Sequence, residues 1–382
     1  MGNNFNPFLV SGYKGSDYFC DRDQETKQLR NHIANNKNTT LFAIRRVGKT
    51  GLLHHVFNSY SKNNKIACIY VDILGTRNIK EFTNQLATAI YNRFPENKSI
   101  GKNIISTIKL LRPLISFDAL SGSPELSFEF SNEKLYEKTI SQIFTFLDKQ
   151  NIQVVFAIDE FQQILNYPEQ NVEAILRSQI QQLNNTLFVF CGSYQKMMHE
   201  IFNSAKRPFF ASCTSMHLDF IDGKLYHDFI VTLFKRNKKF ITENAVSFVL
   251  DWTRKHTFYT QYLCNYLFAI YPVKIDLEDV HKAIIEIFEQ HENIYYQYKN
   301  LLTAAQWNLL QAIAKEDKLY NPHSKKVIQK YKLGTSSMVT RGMDALLAKE
   351  LIYYNAGIAN PYYEVYDKFL MRWLQYKHVH LS

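Results

Sequence analysis

The chain has no apolar segment approaching the roughly 18 to 20 residues needed to span a bilayer. Its amino terminus, MGNNFNPFLVSGY, has no basic start followed by an apolar run. These two absences argue against a membrane partner and point to the cytoplasm. Cysteine is scarce: Cys20, Cys68, Cys191, Cys213 and Cys264 are scattered, odd in number and without C-x-x-C spacing. Neither a disulfide framework nor a zinc site is built that way, so the five read as buried thiols in a reducing compartment. Acid is the deficient charge. Lys+Arg number 45 against 35 Asp+Glu, a formal +10, which favours an anionic partner. From Tyr296 to Ser382 there are 12 Lys+Arg and 6 Asp+Glu, so more than half of the excess lies in the last quarter.

Core material is present: 46% of the 382 residues are hydrophobic, enough for a globular protein of two or three domains. Residues 21–36, DRDQETKQLRNHIANN, begin with a capping aspartate and place Leu29 and Ile33 four apart, as in a short amphipathic helix. The strand TTLFAIR follows and runs into a glycine-containing loop. A helix from Lys49, the apolar strand KIACIYVDI and the helix NIKEFTNQLATAIYNRF come next. LISFDALSGSPELSFEF alternates on both sides of a turn and predicts a hairpin inserted near 114–131. Helices then alternate with the strands IQVVFAI, TLFVFCG and TSMHLDFI. Five strands separated by helices predict an α/β fold with a parallel sheet covered on both faces. Beyond Gly223 the strand signal stops and helical periods run to about Tyr298. From Leu301, three helices and a terminal hairpin around LIYYNAGIANPYYEVYD predict a winged helix. The expected domains are a core at 1–222, a helical lid at 223–298 and a winged helix at 299–382.

Within LFAIRRVGKTGLLHHVF, Gly48-Lys49-Thr50 ends a phosphate-binding pattern, G-x-x-x-x-G-K-[ST], whose first glycine is replaced by Ala43. Such a loop works because backbone N–H groups, a helix N-terminus and one lysine converge on phosphates, while the Ser/Thr hydroxyl holds Mg²⁺. Lys49 is the candidate lysine, Thr50 the candidate metal ligand, and Gly48 the residue that lets backbone approach phosphate. Alanine fits at position 43 if its φ stays negative. About a hundred residues on, IQVVFAIDEF ends an apolar strand with two acids. Asp159 there can hold Mg²⁺, and Glu160 can polarise a water that attacks the terminal phosphate. Buried carboxylates are costly unless paired or bound to metal, so the pair strengthens the loop reading.

Other candidates keep two readings each. Ser193, after the next strand, is either a γ-phosphate sensor or a turn serine. Arg207 in AKRPFFAS either points across a subunit boundary at a neighbour's phosphate or is a surface arginine before a proline. Arg45 and Arg46 either touch phosphate or are solvated. Asp21 and Arg22 read most simply as a helix cap and a surface charge. The run Lys235-Arg236-Asn237-Lys238-Lys239 reads as a solvated helix end. The candidate recognition helix, Ser336 to Lys349, has only Arg341 and Lys349 as basic residues, so DNA phosphate contacts would come from Lys325, Lys326, Lys330 and Lys332.

In this order the motifs resemble the archaeal-type ATPase family of P-loop proteins, which lies near the AAA+, STAND and origin-recognition ATPases. The resemblance covers most of the chain. It runs from NPFLVSGYKGSDYFCDRDQETKQL through RRVGKTGLL, YVDI, IDEF, FCGSYQKMM and RPFFAS to EVYDKFLMRWL. It implies an ASCE sheet of order 5-1-4-3-2, a helical lid and a C-terminal winged helix. Phe19, Asp21, Arg22 and Glu25 match an F-x-D-R-x-x-E segment near the adenine. The resemblance further implies ATP and Mg²⁺ held by the loop, Ala43, Arg45, Arg46, Val47, Gly48, Lys49, Thr50 and Gly51. Thr50 and Asp159 would bind metal, and Glu160, Lys49, Ser193 and Arg207 would act in catalysis. Two positions depart from the family. Ala211-Ser212 stands where many relatives have Gly-Arg, which leaves the finger role to Arg207. Lys255-His256-Thr257-Phe258-Tyr259 stands where relatives tend to carry Gly-x-Pro, so His256 either replaces a nucleotide contact or is an interior histidine. No nuclease activity is expected in this polypeptide.

The function expected on these grounds is an ATP-binding, slowly hydrolysing AAA+/STAND-like switch that couples nucleotide state to the winged helix. A DNA-binding protein whose affinity nucleotide tunes, similar to origin-recognition ATPases, is the alternative. A nucleotide-binding scaffold without turnover is the third reading, hinted at by Ala43. Expected partners are ATP and ADP, DNA through the basic winged helix, and a second copy of the chain or another protein.

Overall fold

The apolar runs of the first half fold as strands buried on both faces, because parallel strands need helices on each side. In chain order the strands are β1 (Thr39–Ala43), β2 (Ile66–Asp72), β3 (Leu114–Phe117), β4 (Pro124–Ser127), β5 (Gln153–Asp159), β6 (Thr186–Gly192) and β7 (Thr214–Leu218). β3 and β4 pair antiparallel as the inserted hairpin, and the other five form one sheet in the order β2-β5-β6-β1-β7. All four of its ladders are parallel. Counted without the hairpin, this is the order 5-1-4-3-2. The computed structural model describes residues 5–94, 114–118, 122–127, 133–355 and 360–380. Parts of both expected turns, 119–121 and 356–359, and the expected hairpin end at 128–131 lie outside the described residues.

Two compact units divide the chain: Ser11–Asp222, and Met1–Val10 together with Gly223–Ser382. In the first, helices Asp23–Ala34, Lys49–Ser59, Ile79–Arg93, Glu133–Asp148, Val172–Ile180 and Gln195–Asn203 accompany the sheet. Asn78 caps the third of these by accepting from the Glu81 N–H at 2.9 Å, and Ile79, Phe82, Leu86 and Ile90 form its buried stripe. The core is aromatic. Phe188 stacks near Phe156 and Phe190 at 6.1 and 5.7 Å between ring centres, with Phe144 edge-on at 5.3 Å.

In the second unit helices Gly223–Arg236, Glu243–Trp252, Thr257–Ile270 and Leu277–Asn300 are followed by a three-helix segment. That segment comprises Ala304–Glu316, Lys325–Tyr331 and Ser336–Ala348, then an antiparallel hairpin, Ile352–Asn355 with Tyr362–Val365. Three features exceed the sequence expectation. A short parallel pair, Phe240–Ile241 with Lys274–Ile275, lies among the helices, where no strand was expected. The chain also ends in a further helix, Lys368–His380. Residues 1–10, expected with the sheet, group with this unit: Phe8 packs on Phe234 at 4.8 Å, and Asn6 donates to the Asn265 carbonyl at 2.8 Å.

A buried ionic network ties the end of the Glu243–Trp252 helix to the last segment of the same unit. Lys368 is fully buried; its Nζ lies 2.7 Å from Glu364 Oε1 and donates to the Val365 carbonyl at 2.9 Å. Tyr353 donates to Glu364 Oε2 at 2.6 Å, and Arg254 Nε stands 3.5 Å from Oε1. Asp317 is shared by Arg254 and Arg372, each at 3.3 Å, and Arg372 also donates to the Trp252 carbonyl at 2.9 Å. Burial pulls the Lys368 amine down to about 8, with Glu364 opposing it. Lys368→Met removes the nearest charge from the buried Glu364 carboxylate and leaves it Tyr353 and the more distant Arg254, and should lower the unfolding free energy by about 3 kcal/mol, read from the denaturant midpoint. Lys368→Met combined with Glu364→Gln should recover part of that loss.

Candidate functional site

In an open parallel sheet, ligands bind beyond the carboxyl ends of the strands, where the strand order reverses. Here β1 lies between β6 and β7, and the loop 44–48 leaves its carboxyl end and enters the helix Lys49–Ser59. Gly48 occupies the N-cap position with φ 103°, and Arg46 also adopts a left-handed conformation with φ 62°. Ala43 is fully buried in β1 and is not among the residues with positive φ, so the missing glycine imposes no backbone strain. The turn that needs a left-handed residue falls three positions later.

Lys49 is 7% exposed, and its Nζ stands 3.0 Å from Asp159 Oδ1 and 3.2 Å from Glu160 Oε1. Thr50 Oγ1 donates to Asp159 Oδ2 at 2.9 Å. Ser193 Oγ donates to Glu160 Oε2 at 2.7 Å, so the segments after β1, β5 and β6 meet in one polar cluster. Glu160 itself has φ 55°, a one-residue reversal between β5 and the turn of helix Phe161–Asn166. Burial lowers the Lys49 pKa, but Asp159 and Glu160 more than offset it and hold the ammonium above its ordinary value. Burial likewise pushes Glu160 up, yet the charge of Lys49 and hydrogen bonds from Gln162 and Ser193 hold its carboxyl below the usual range.

Two expectations about the entry segment change. The helix begins at Asp23, the N-cap position is Arg22 at φ 72°, and no side chain caps it, so Asp21 is not the cap. Arg22 is not a surface charge either: it is 3% exposed, pairs with Glu25 at 2.8 Å and donates to the Val47 carbonyl at 3.2 Å. Consecutive left-handed residues, Asp21 at φ 52° and then Arg22, turn this guanidinium inward onto the loop. Phe19 stacks on His55 at 4.3 Å and borders Gly51, 3.5 Å from where a Cβ would stand.

Other candidates lie elsewhere. Arg45 and Arg46 are exposed on the loop. Arg207, the finger candidate, pairs within its own chain with Glu173 at 2.7 Å and Glu200 at 3.8 Å. His256 belongs to the second unit, where it is buried at the start of Thr257–Ile270 with its ring 4.8 Å from Tyr259, the interior histidine of the two readings. The sequence reading missed two contributors. Tyr70 donates its phenol to Asp159 Oδ2 at 3.0 Å, and Gln162 donates to Glu160 Oε2 at 2.6 Å. The signal for Tyr70 was alternation, since it shares a strand face with Asp72 at the carboxyl end of β2.

With this geometry in view, the comparisons are consistent. Residues 19–254 match the profile of the ATPase domain predominantly from Archaea, and the chain belongs to that family. Residues 293–376 match a profile described as a probable winged helix domain. The fold is similar to that of a Walker-type ATPase of Pyrococcus abyssi, with TM-score 0.67 and 16% identity over 97% of this chain and 99% of that one. It is also similar to the ORC2 protein of Aeropyrum pernix, solved in ADPNP–ADP complexes, at TM-score 0.51 and 12% identity over 99% of both chains. The ORC1 protein of the same organism, solved in complex with DNA, matches at 0.51 and 14% over 96% of both. No curated protein matches by sequence. Among the described residues, no helix is long and apolar enough to cross a membrane.

Because Glu160 is held below its usual pKa, its anion favours the folded state. That contribution is present above the ordinary carboxylate range and is lost as pH falls through the depressed value. In Lys49→Met the burial of Glu160 is offset by the Gln162 and Ser193 hydrogen bonds alone, without the ammonium's charge. The acid-unfolding midpoint of the nucleotide-free protein should therefore move to higher pH, measured by circular dichroism against pH.

Proposed function

We propose that the chain binds ATP with Mg²⁺ at the loop 43–51, hydrolyses it slowly, and uses the cycle as a switch acting on the winged-helix segment. The observation that carries this reading is the Lys49 ammonium between Asp159 and Glu160, with Thr50 on Asp159. A buried cation on two acids at the mouth of a phosphate loop is a charge arrangement ready to be divided between phosphate and metal.

The donor set fits the group. Mg²⁺ commonly takes one or two carboxylates together with substrate phosphates and water, and Thr50 Oγ1 and Asp159 Oδ2 are the hard oxygens available here. Thr50 and Asp159 would hold the metal, while Lys49 and the backbone N–H groups around Gly48 would bind phosphate. When bound, Mg-ATP supplies the electrophilic terminal phosphate and neutralises charge on its oxygens. Glu160 accepts the proton of the attacking water on a carboxylate oxygen, and Ser193 orients that carboxylate. Arg22, through the Val47 carbonyl, braces the loop from the entry segment. Arg207 is left out of the set because carboxylates of its own chain hold it. The switch requires that ATP bind two arrangements of the protein with different affinity.

A second reading, DNA binding, rests on Lys325, Lys326 and Lys332, which are exposed on and just after the second helix of the winged-helix segment. Lys330 is drawn to Glu316 at 2.6 Å and contributes less free charge. This reading expects a salt-dependent affinity for duplex DNA that drops when Lys325, Lys326 and Lys332 are neutralised, and less when Lys330 is; no binding at low salt would reject it.

For the main reading, Lys49→Ala should abolish ATP binding, followed with a fluorescent ATP analogue. Glu160→Gln should keep binding and lower turnover by about 10²- to 10⁴-fold, the usual range for a lost general base. Equal ATPase rates in wild type and Glu160→Gln would sink it.

A further inference from the structure

Gln162 is 8% exposed, and its amide nitrogen donates to Glu160 Oε2 at 2.6 Å, the oxygen that Ser193 Oγ also reaches at 2.7 Å. Its amide oxygen, Oε1, is buried with no hydrogen-bond partner. A half-satisfied buried amide is costly, and an apolar side chain of the same length would fill this volume without that cost. Something about the nitrogen's bond to Glu160 must therefore favour glutamine here.

Gly192, the last residue of β6, carries the matching mark. A Cβ built on it would lie 2.3 Å from Gln162 Oε1 and 2.5 Å from Met198 Cγ and Sδ, closer than atoms pack. Its backbone is not in the left-handed region, so conformational freedom is not what calls for glycine. Space is. The neighbouring Ser193 bonds the same carboxylate oxygen, so the end of β6 serves Glu160 twice, once by a hydroxyl and once by a missing side chain.

Glu160 needs such support, because it stands alone at φ 55° between a strand and a short helix, where neither fixes its direction. We propose that Gln162 is a positioning residue for Glu160, holding Oε2 with Ser193 so that Oε1 faces Lys49, and that Gly192 is glycine to admit the Gln162 amide. This rests on Glu160 acting as the base for ATP hydrolysis, and goes beyond it by assigning two residues that act through Glu160. Positioning matters because displacing a catalytic group by about 1 Å can cost about 100-fold in rate.

The test is steady-state ATPase kinetics on the full chain. Gln162→Met keeps the volume and removes the donor; kcat should fall about 10- to 100-fold with KM for ATP and analogue affinity within about twofold. Gly192→Ala should reproduce the kcat loss. In the Gln162→Ala background the contact with Met198 remains but the one with the Gln162 amide is gone, so Gly192→Ala should cost clearly less kcat than in the wild-type background, a non-additivity expected of residues in contact. An unchanged kcat in Gln162→Met, or losses that multiply in the double variant, overturns the proposal. The packing half has its own readout without nucleotide: Gly192→Ala should lower the melting temperature in the wild-type background and clearly less in Gln162→Ala, and equal drops overturn it. Wild-type protein that turns over no ATP would remove the hydrolytic reading and the positioning role together. Wild-type turnover in Gln162→Met removes only the positioning role.

Discussion

A single buried ammonium organises the first unit. Lys49 sits at the first turn of the helix that follows β1, and it is kept charged there by carboxylates from the end of β5. Neither side is tolerable alone: an unpaired lysine or two unpaired acids at this depth would shed their charge or unfold the site. The strand order meets that constraint. Placing β6 between β1 and β5 brings three strand ends side by side, so Lys49, Glu160 and Ser193 converge from segments more than thirty residues apart.

Around this pair the donors are distributed with little redundancy. Asp159 receives Thr50 and Tyr70 on one oxygen and Lys49 on the other, while Glu160 receives Gln162 and Ser193 on one and Lys49 on the other. Asp159 is thus tied to the loop helix through Lys49 and Thr50 and to β2 through Tyr70, and Glu160 to the loop helix through Lys49 and to its other neighbours through Gln162 and Ser193. A ligand that draws Lys49 away leaves both acids oriented by their remaining donors, which is the preorganisation an electrostatic site requires.

Much of this was legible in the sequence, and the reasons differ by element. Buried parallel strands read as continuous apolar runs, so TTLFA and QVVFAID announced themselves, and Gly-Lys-Thr followed by Asp-Glu marked the strand ends that matter. Ala43 was readable because its burial inside a strand needs no special backbone. Arg22 was misread because an exposed-looking charge immediately before a helix carries no sign that successive left-handed residues turn it inward. Gln162 was missed for a related reason: a polar residue near a motif shows in sequence neither its direction nor its partner; the face of Tyr70 was readable from strand alternation, but its partner on β5 was not. The short parallel pair at Phe240 and Lys274 was invisible because two residues make no period. The terminal helix had its apolar residues, but the hairpin before it was the expected end of the fold.

The network of Arg254, Asp317, Glu364, Lys368 and Arg372 bears on how this chain can be dissected. The family profiles meet the chain as two stretches, 19–254 and 293–376, an invitation to express the second by itself. A fragment starting near residue 293 would leave Arg254 and the Trp252 carbonyl behind. Glu364 would keep Lys368 and Tyr353, while Asp317 and Arg372 would each lose a partner on a face now open to water. In this protein the seam for a stable fragment follows the charges and the packing and not the family boundary: the second unit is Gly223–Ser382 together with Met1–Val10, so a fragment cut before Gly223 keeps the ionic network but still needs Asn6 and Phe8 for Asn265 and Phe234.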